Sequence, residues 1–507
     1  MLIRTICSLL LFSTLATAQP IQRPVPTGVP GYAIEVFDST VSGYYLATPF
    51  RFGVPNSVLP LVILDAQGYL LWYLPQNARN LINFKYHPKQ EVYTFGKSTA
   101  GPLSFRNHVL DKNFQPLDSF TTVQGVQPDI HDFLPTSNQT YLVAGEKDSI
   151  MDLSAFVFSG IPGSPNTRAI GFVVQEFDED HNLLFSWNSN DFIHPTESYT
   201  FFYGYNANNF DYCHGNTIEE DSDGHLLLSF RHLNAVYKIH RQTGAVLWKL
   251  GGKSSSFTFI NDAGFSGQHD VRRLPNGNVA LFDNANVSPP PRVSRAVEYA
   301  LDTLTWTATK VWEYRYQPGF FSPAMGGHQT TETRLHLLSY GLIFRPIPSF
   351  VLVNDAGALL ATGFFQDSVM SYRVHFQDLP LANLQRPEIQ CSWQNGALTL
   401  TAPPGYDQYA WSTGESSASI EVTLPGVYQL WAGDANGMVG SAPFQVNDPA
   451  TACAASPVLE PEVRQNQVIT GYFDLLGRRL PGPPGEVFAG QWYVVQFADG
   501  HAEKQTH

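Results

Sequence analysis

Four histidines stand at matching places along the chain: Ile130-His131-Asp132, Cys213-His214-Gly215, Gln268-His269-Asp270 and Gly327-His328-Gln329. An imidazole titrates near neutral pH, and its unprotonated nitrogen is a nucleophile or a metal ligand. Four that converge would suit group transfer, acid–base work or metal binding. Arg231, in Leu228-Ser-Phe-Arg-His232, adds a guanidinium fork suited to a tetrahedral oxyanion. Asn216 follows His214 by two residues, and the period of a strand puts both side chains on one face, where Asn216 donates to the same ligand. The same period turns Asp132 and Asp270 away from His131 and His269, toward hydrogen bonds within or between sheets. Other chemistries find little support. No Gly-x-Ser-x-Gly elbow, Walker loop or Gly-x-Gly-x-x-Gly segment follows a strand. No Cys-x-x-Cys pair offers a thiolate metal site. Asp221-Ser-Asp-Gly224 starts like a calcium loop but lacks its glutamate, so it reads as a turn.

Each histidine opens a similar stretch. Val271 to Phe282 reads as strand, Asn-Gly turn, strand; Asn216 to Phe230 repeats the scheme with Asp-Gly, and Phe133 to Val143 repeats it again. Two further strands follow each hairpin and end on a tryptophan: Phe172 to Trp187, Ala235 to Trp248 and Val297 to Trp312. A four-stranded unit recurring every 40 to 60 residues or so predicts a β-propeller. Six blades are expected, beginning near Tyr44, Asn83, His131, His214, His269 and His328. Ser339 to Pro348 partly obscures the sixth. The inner strand of a blade lines the central channel, so its first residue lies at the channel mouth. Long insertions are expected at Ile150 to Arg168 and Asn188 to Asp211, where loops commonly cover a site.

From Ile130 to His328, and most strongly from Tyr212 to Trp312, the sequence resembles the arylsulfotransferase family, bacterial arylsulfate sulfotransferases that use no nucleotide sulfate donor. The resemblance is carried by Cys-His-Gly-Asn-Thr, Leu-Ser-Phe-Arg-His, Gly-Ala-Val-Leu-Trp-Lys-Leu-Gly-Gly, Gln-His-Asp followed by Leu-Pro-Asn-Gly-Asn, Leu-Phe-Asp-Asn-Ala and Val-Trp-Glu-Tyr-Arg. It implies a six-bladed propeller and transfer from an aryl sulfate ester to a phenol by a ping-pong course through a sulfohistidine. It implies His269 as the nucleophile and His131, His214, Asn216 and Arg231 at sulfate-binding positions, with His131 or His214 as acid or base. His328 is expected to line the channel and touch substrate. No metal or other cofactor is required. The Asp after His269 fits the family's broader branch.

The composition, 13% aromatic and 15% charged with 40 Gly and 36 Pro, is that of a core-building chain with many turns. The net charge of −14 leaves no basic stripe for nucleic acid. Arg4, the apolar Leu9-Leu10-Leu11-Phe12 and Ala16-Thr17-Ala18 predict a signal peptide over 1–18, hence export. No stretch is long enough to span a membrane. The all-β expectation then runs as a propeller over 19–380, an independent immunoglobulin-like sandwich over 387–447 and a β-rich module over 464–507. Tyr409-Ala-Trp-Ser-Thr-Gly-Glu and Gly426-Val-Tyr resemble immunoglobulin-like modules of secreted Bacteroidota proteins. Phe473-Asp-Leu-Leu-Gly-Arg-Arg-Leu480 and Trp492 to Gly500 resemble the type IX secretion sorting domain, which implies secretion machinery as a partner. Cys391 and Cys453 flank the sandwich and could pair, leaving Cys213 over. Two other functions fit the histidines: a metal-dependent propeller hydrolase or lyase, and a secreted propeller that binds an anionic ligand without turnover.

Overall fold

The computed structural model describes residues 22–51, 58–366, 368–381 and 384–453, together with strands of the C-terminal part. The expected signal peptide lies outside the described residues. The protein is all-β. Among the described residues, the one α-helix is the single turn Thr200–Tyr203.

Six largely antiparallel sheets account for most of the chain. Four have a four-stranded meander, beginning on Asn80–His87, Gln127–Pro135, Gly215–Glu220 and His269–Arg273. In two of them a short parallel strand is added, Phe210–Asp211 and Thr258–Ile260. A fifth begins on Gly327–Thr330 and takes Tyr32–Val36 as its outermost strand. The sixth begins on Val374–Gln377, which pairs with Tyr44–Ala47, followed by Val58–Asp65 and Leu70–Asn77. Tyr44 therefore opens the second strand of its sheet. The first strand is supplied from the other end of the chain. The six first strands also neighbour one another in sequence, and Val374–Gln377 adjoins Asn80–His87.

Alternation along each strand places apolar residues on both faces, and each face meets the next sheet. Leu226 and Leu228 pack toward Phe172 and Trp187 of the preceding sheet, while Leu227 packs with Val271 and Leu281 of the following one. Equivalent layers join Phe282 to Val351, Phe350 to Tyr45, Ile63 to Phe84, and Val109 to Phe133. The core is thus divided among the six gaps between sheets. That is why strands such as Leu226–Phe230 are buried throughout rather than at every second residue. The Asn-Gly turn lies where expected: Gly277 takes φ +87°, open to glycine without strain, and its N–H donates to Leu274 O.

The insertion expected at Ile150 to Arg168 is partly an extension of two strands, since Ile150 pairs with Arg168 and Met151 with Thr167. The stretch from 390 to 446 forms small sheets around Leu398, Leu400, Trp411, Ile420 and Leu430. Its sheet is shared with the preceding strands: Met438 pairs with Tyr73 and Val439 with Trp72. The segment read as independent thus continues the edge of the Leu70–Asn77 strand. A disulfide joins Cys391 to Cys453, with Cα atoms 5.7 Å apart, and Cys213 is free and buried. The chain divides into compact units Met1–Ala454 and Ala455–His507. The second contains a sheet in the order Arg479–Leu480, Ile469–Asp474, Trp492–Phe497, Ala502–Thr506.

Candidate active site

A cavity of about 570 Å³ opens where the first strands meet, with His131, His214, Arg231 and His269 in its lining. Tyr372, Met325 and Ile130 complete that wall, and Phe50, Leu59, Leu81 and Ile82 form an apolar side with Arg51 and Arg79. The size suits a small organic ligand. Apolar walls with three guanidinium groups suit an aromatic anion.

His269 is the first residue of its strand and is almost fully buried. Its Nδ1 faces the Asn284 side-chain oxygen at 2.7 Å and Gly267 O at 3.0 Å. The Asn284 amide is fixed in turn, because its Nδ2 donates to Ser322 O and Met325 O. Its oxygen must therefore accept, so the proton sits on His269 Nδ1 and the lone pair on Nε2. Met325 N–H donates to that lone pair at a long 3.3 Å. Burial, and then the positive charge of Arg231, hold this imidazole well below its usual pKa. It is neutral at neutral pH, with a lone pair on Nε2.

His131 and His214 have carboxylate partners. The Asp129 carboxylate takes both the backbone N–H of His131, at 2.8 Å, and its Nδ1–H, at 2.9 Å. Asp211 does the same for His214. The two rings meet edge to face, 4.9 Å between centroids. Burial pulls the His131 imidazole down, but Asp129 and Glu146 more than offset this and its pKa ends raised. Burial and the charges of Asp129 and Asp211 push Glu146 up to about 7. Burial raises the Asp211 carboxyl, yet His214 and then His232 bring it down to about 2. The three histidines thus differ by partner: amide for His269, carboxylate for the other two.

Arg231 stands at the end of the Leu226–Phe230 strand. Its Nη2 donates to Pro323 O at 3.0 Å, its Nη1 lies 3.0 Å from His232 Nε2, and its guanidinium lies over Tyr203. Its Nε is buried without a partner. Burial and the neighbouring His214 push His232 down to about 3, so it remains neutral beside the arginine.

Asn216 and His328 are not in the lining. The ladder is irregular between Gly215 and Thr217, which turns the Asn216 side chain aside. Its Nδ2 donates to Gln268 O at 2.7 Å, so it braces the peptide before His269 instead of sharing a ligand with His214. His328 is the second residue of its strand and packs between sheets, stacked on Trp312. Asp132 and Asp270 do turn away from the cavity. Asp132 meets Lys85, Arg272 and Arg373, and Asp270 meets Arg272 and Arg373. A Cβ on Gly327 would stand 2.5 Å from an Asp270 carboxylate oxygen and would push that side chain aside.

Sequence reasoning missed Asn284, Tyr372 and the partners Asp129 and Asp211. Asn284 lies in the Leu-Phe-Asp-Asn-Ala stretch, just beyond the strand that pairs with His269, so its motif was in view without its role. Tyr372 carried no repeat signal; its hydroxyl is buried without a partner. Asp211, His214 and His232 place three ligand atoms within 4.8 Å of one another and could hold a metal.

No curated protein matches the sequence. Among solved structures, a protein of unknown function from Bacteroides caccae is similar with a TM-score of 0.40 and 11% identity, over 66% of this chain and 99% of that one. A putative 6-phosphogluconolactonase from Bacteroides fragilis gives 0.35 and 11%, over 68% and 100%. A catalytically inactive virginiamycin B lyase from Staphylococcus aureus, solved with quinupristin, gives 0.33 and 8%, over 73% and 96%. These scores carry no argument about function. Residues 105–345 match the family model described as Arylsulfotransferase (ASST). The stretch that supplies His131, His214, Arg231 and His269 is therefore similar to the arylsulfotransferases.

Proposed function

We propose that the protein transfers a sulfuryl group from an aryl sulfate ester to a phenol through a sulfohistidine at His269. The observation that carries this reading is the His269–Asn284 contact, which leaves Nε2 unprotonated at the cavity wall. In the first half-reaction Nε2 attacks sulfur, the N–S bond forms and the S–O(aryl) bond breaks. The departing phenoxide takes a proton from His131 or His214. In the second, a phenol oxygen attacks sulfur, the N–S bond breaks, and the phenol proton returns to that imidazole. The sulfuryl oxygens stay negative throughout, and Arg231 stabilises them.

The test is release of an aryl leaving group from an aryl sulfate, dependent on added phenol. His269→Asn should abolish it, and wild-type protein given donor alone should carry one sulfuryl group on the His269 peptide. Full transfer by the variant would overturn the reading.

A second reading follows from Asp211, His214 and His232: a metal held there would support hydrolysis or elimination. Activity lost on chelation and restored by a divalent metal would favour it.

The same reading takes the six sheets as blades of one propeller, supported by the circular order of their first strands. It takes 387–447 as an immunoglobulin-like sandwich. It takes the protein as exported, supported by the leader-like residues 1–18 and the Cys391–Cys453 pair, with the C-terminal module engaging secretion machinery.

A further inference from the structure

Away from the cavity, Glu298, His328 and His336 form a second cluster, and all three are buried. His328 and Thr330 share one face of the Gly327–Thr330 strand, and His336 pairs with Thr330 on the next. Glu298 reaches in from the Arg295–Asp302 strand of the adjoining sheet.

The mutual distances are short. His328 Nε2 lies 3.1 Å from His336 Nδ1. Thr330 Oγ1 is 3.3 Å from the first of these atoms, 3.2 Å from the second and 3.4 Å from Glu298 Oε1. Glu298 Oε1 is 3.8 Å from His336 Nδ1. Four ligands around an ion with bonds of about 2.0–2.1 Å define a tetrahedron with edges of about 3.3–3.4 Å. Five of the six mutual distances, 3.1–3.8 Å, lie near that edge length.

Protons alone serve the cluster poorly. His336 Nε2–H faces Asp355 Oδ1 at 3.1 Å, which leaves the lone pair on Nδ1. A histidine ligand held through its other nitrogen by a carboxylate is the usual support of a metal. His328 Nδ1 has no hydrogen-bond partner, with the Leu281 carbonyl beside the ring. With its proton there, two lone pairs face each other at 3.1 Å; with the proton on Nε2, a bare acceptor is buried. Trp312 stacks on both rings, 3.9 Å from His336 and 5.3 Å from His328, and fixes their planes. Arg334 donates to both Glu298 oxygens, at 2.9 Å to Oε1 and 3.2 Å to Oε2, and to Asp355 Oδ1 at 2.7 Å. With neutral imidazoles, two carboxylates and one guanidinium leave net negative charge for a divalent cation.

We propose that Glu298, His328, His336 and Thr330 bind a tetrahedral divalent metal of the zinc type. It would clamp the Arg295–Asp302 strand to the neighbouring sheet, apart from the cavity and independent of the chemistry there. An ion bound only by the folded chain raises its melting temperature.

The test starts with full-length wild-type protein refolded from chelator with zinc or with cobalt. We expect close to one ion per chain, the strong visible absorption of tetrahedral cobalt, and a higher melting temperature than metal-free protein. His336→Ala and Glu298→Gln should lose the ion and the shift, while His214→Ala should keep both. Metal-free wild type that refolds yet shows neither binding nor a shift overturns the proposal and leaves a hydrogen-bonded cluster only. Binding abolished by His214→Ala but kept by His336→Ala overturns it equally, by moving the metal to the cavity.

Discussion

His269 Nδ1 donates to the Asn284 side-chain oxygen at 2.7 Å, so the residue beneath the proposed nucleophile is an amide and not an acid. A carboxylate there would stabilise the imidazolium and remove the Nε2 lone pair at neutral pH. Asn284→Asp should therefore move the acid limb of the kcat/KM profile to higher pH. Asn284→Ala, which frees the tautomer, should cut transfer by about 10²–10⁴-fold. Profiles that coincide with wild type would deny Asn284 this role.

His131 is held by Asp129 and Glu146, with the His214 ring and Tyr372 against it and Arg373 opposing protonation. A raised pKa keeps it protonated to higher pH. As an acid its contribution is present below that pKa and lost as pH rises through it. Transfer from aryl sulfates with poor leaving groups should fall on the alkaline side, and nitrophenyl esters should fall less. Asp129→Asn should bring that limb to lower pH, measured as leaving-group dependence at several pH values.

The rim arginines Arg51 and Arg79 act through their field, because both are exposed. Changing both to Met should raise KM for an aryl sulfate roughly three- to tenfold with kcat little altered. The difference should fade as salt is added. Steady-state kinetics at low and high ionic strength decide it.

Asp132 is fully buried among Lys85, Arg272 and Arg373. Asp132→Asn strands those cations and should cost roughly 3–5 kcal/mol of stability in urea denaturation. Burial alone would raise its carboxyl, but Lys85, Arg272 and Arg373 hold it far below the ordinary carboxylate range. Its stabilisation is therefore present above the unfolded pKa and disappears only as pH falls through the folded one. Stability of the variant should vary less with acid than that of wild type.

Repetition made His131, His214 and His269 legible, because each lies on or beside a first strand that meets the cavity. Arg231, at the end of a second strand, was legible from its guanidinium and its motif. Alternation misled at Asn216, where the ladder breaks, and at His328, one residue further into its strand than His269. Tyr44 read as a blade start because the strand that precedes it in space, Val374–Gln377, lies more than three hundred residues later. Asn284 was hidden differently: it faces His269 across one hairpin, in a stretch whose role its sequence does not announce. Tyr372 belongs to the site through His131 and His269, distant in the chain, which no local pattern records.

The two strands that fasten the sheets have a consequence for biosynthesis. Tyr32–Val36 needs Leu359–Phe365, and Tyr44–Ala47 needs Val374–Gln377. Tyr32–Val36 thus waits for a strand made more than three hundred residues later, whereas Tyr44–Ala47 also pairs with Val58–Asp65, close by in the chain. Arg51, Arg79 and Tyr372, drawn from those two ends, share one cavity wall. The cavity wall is therefore complete only once residues from both ends of this region have come together.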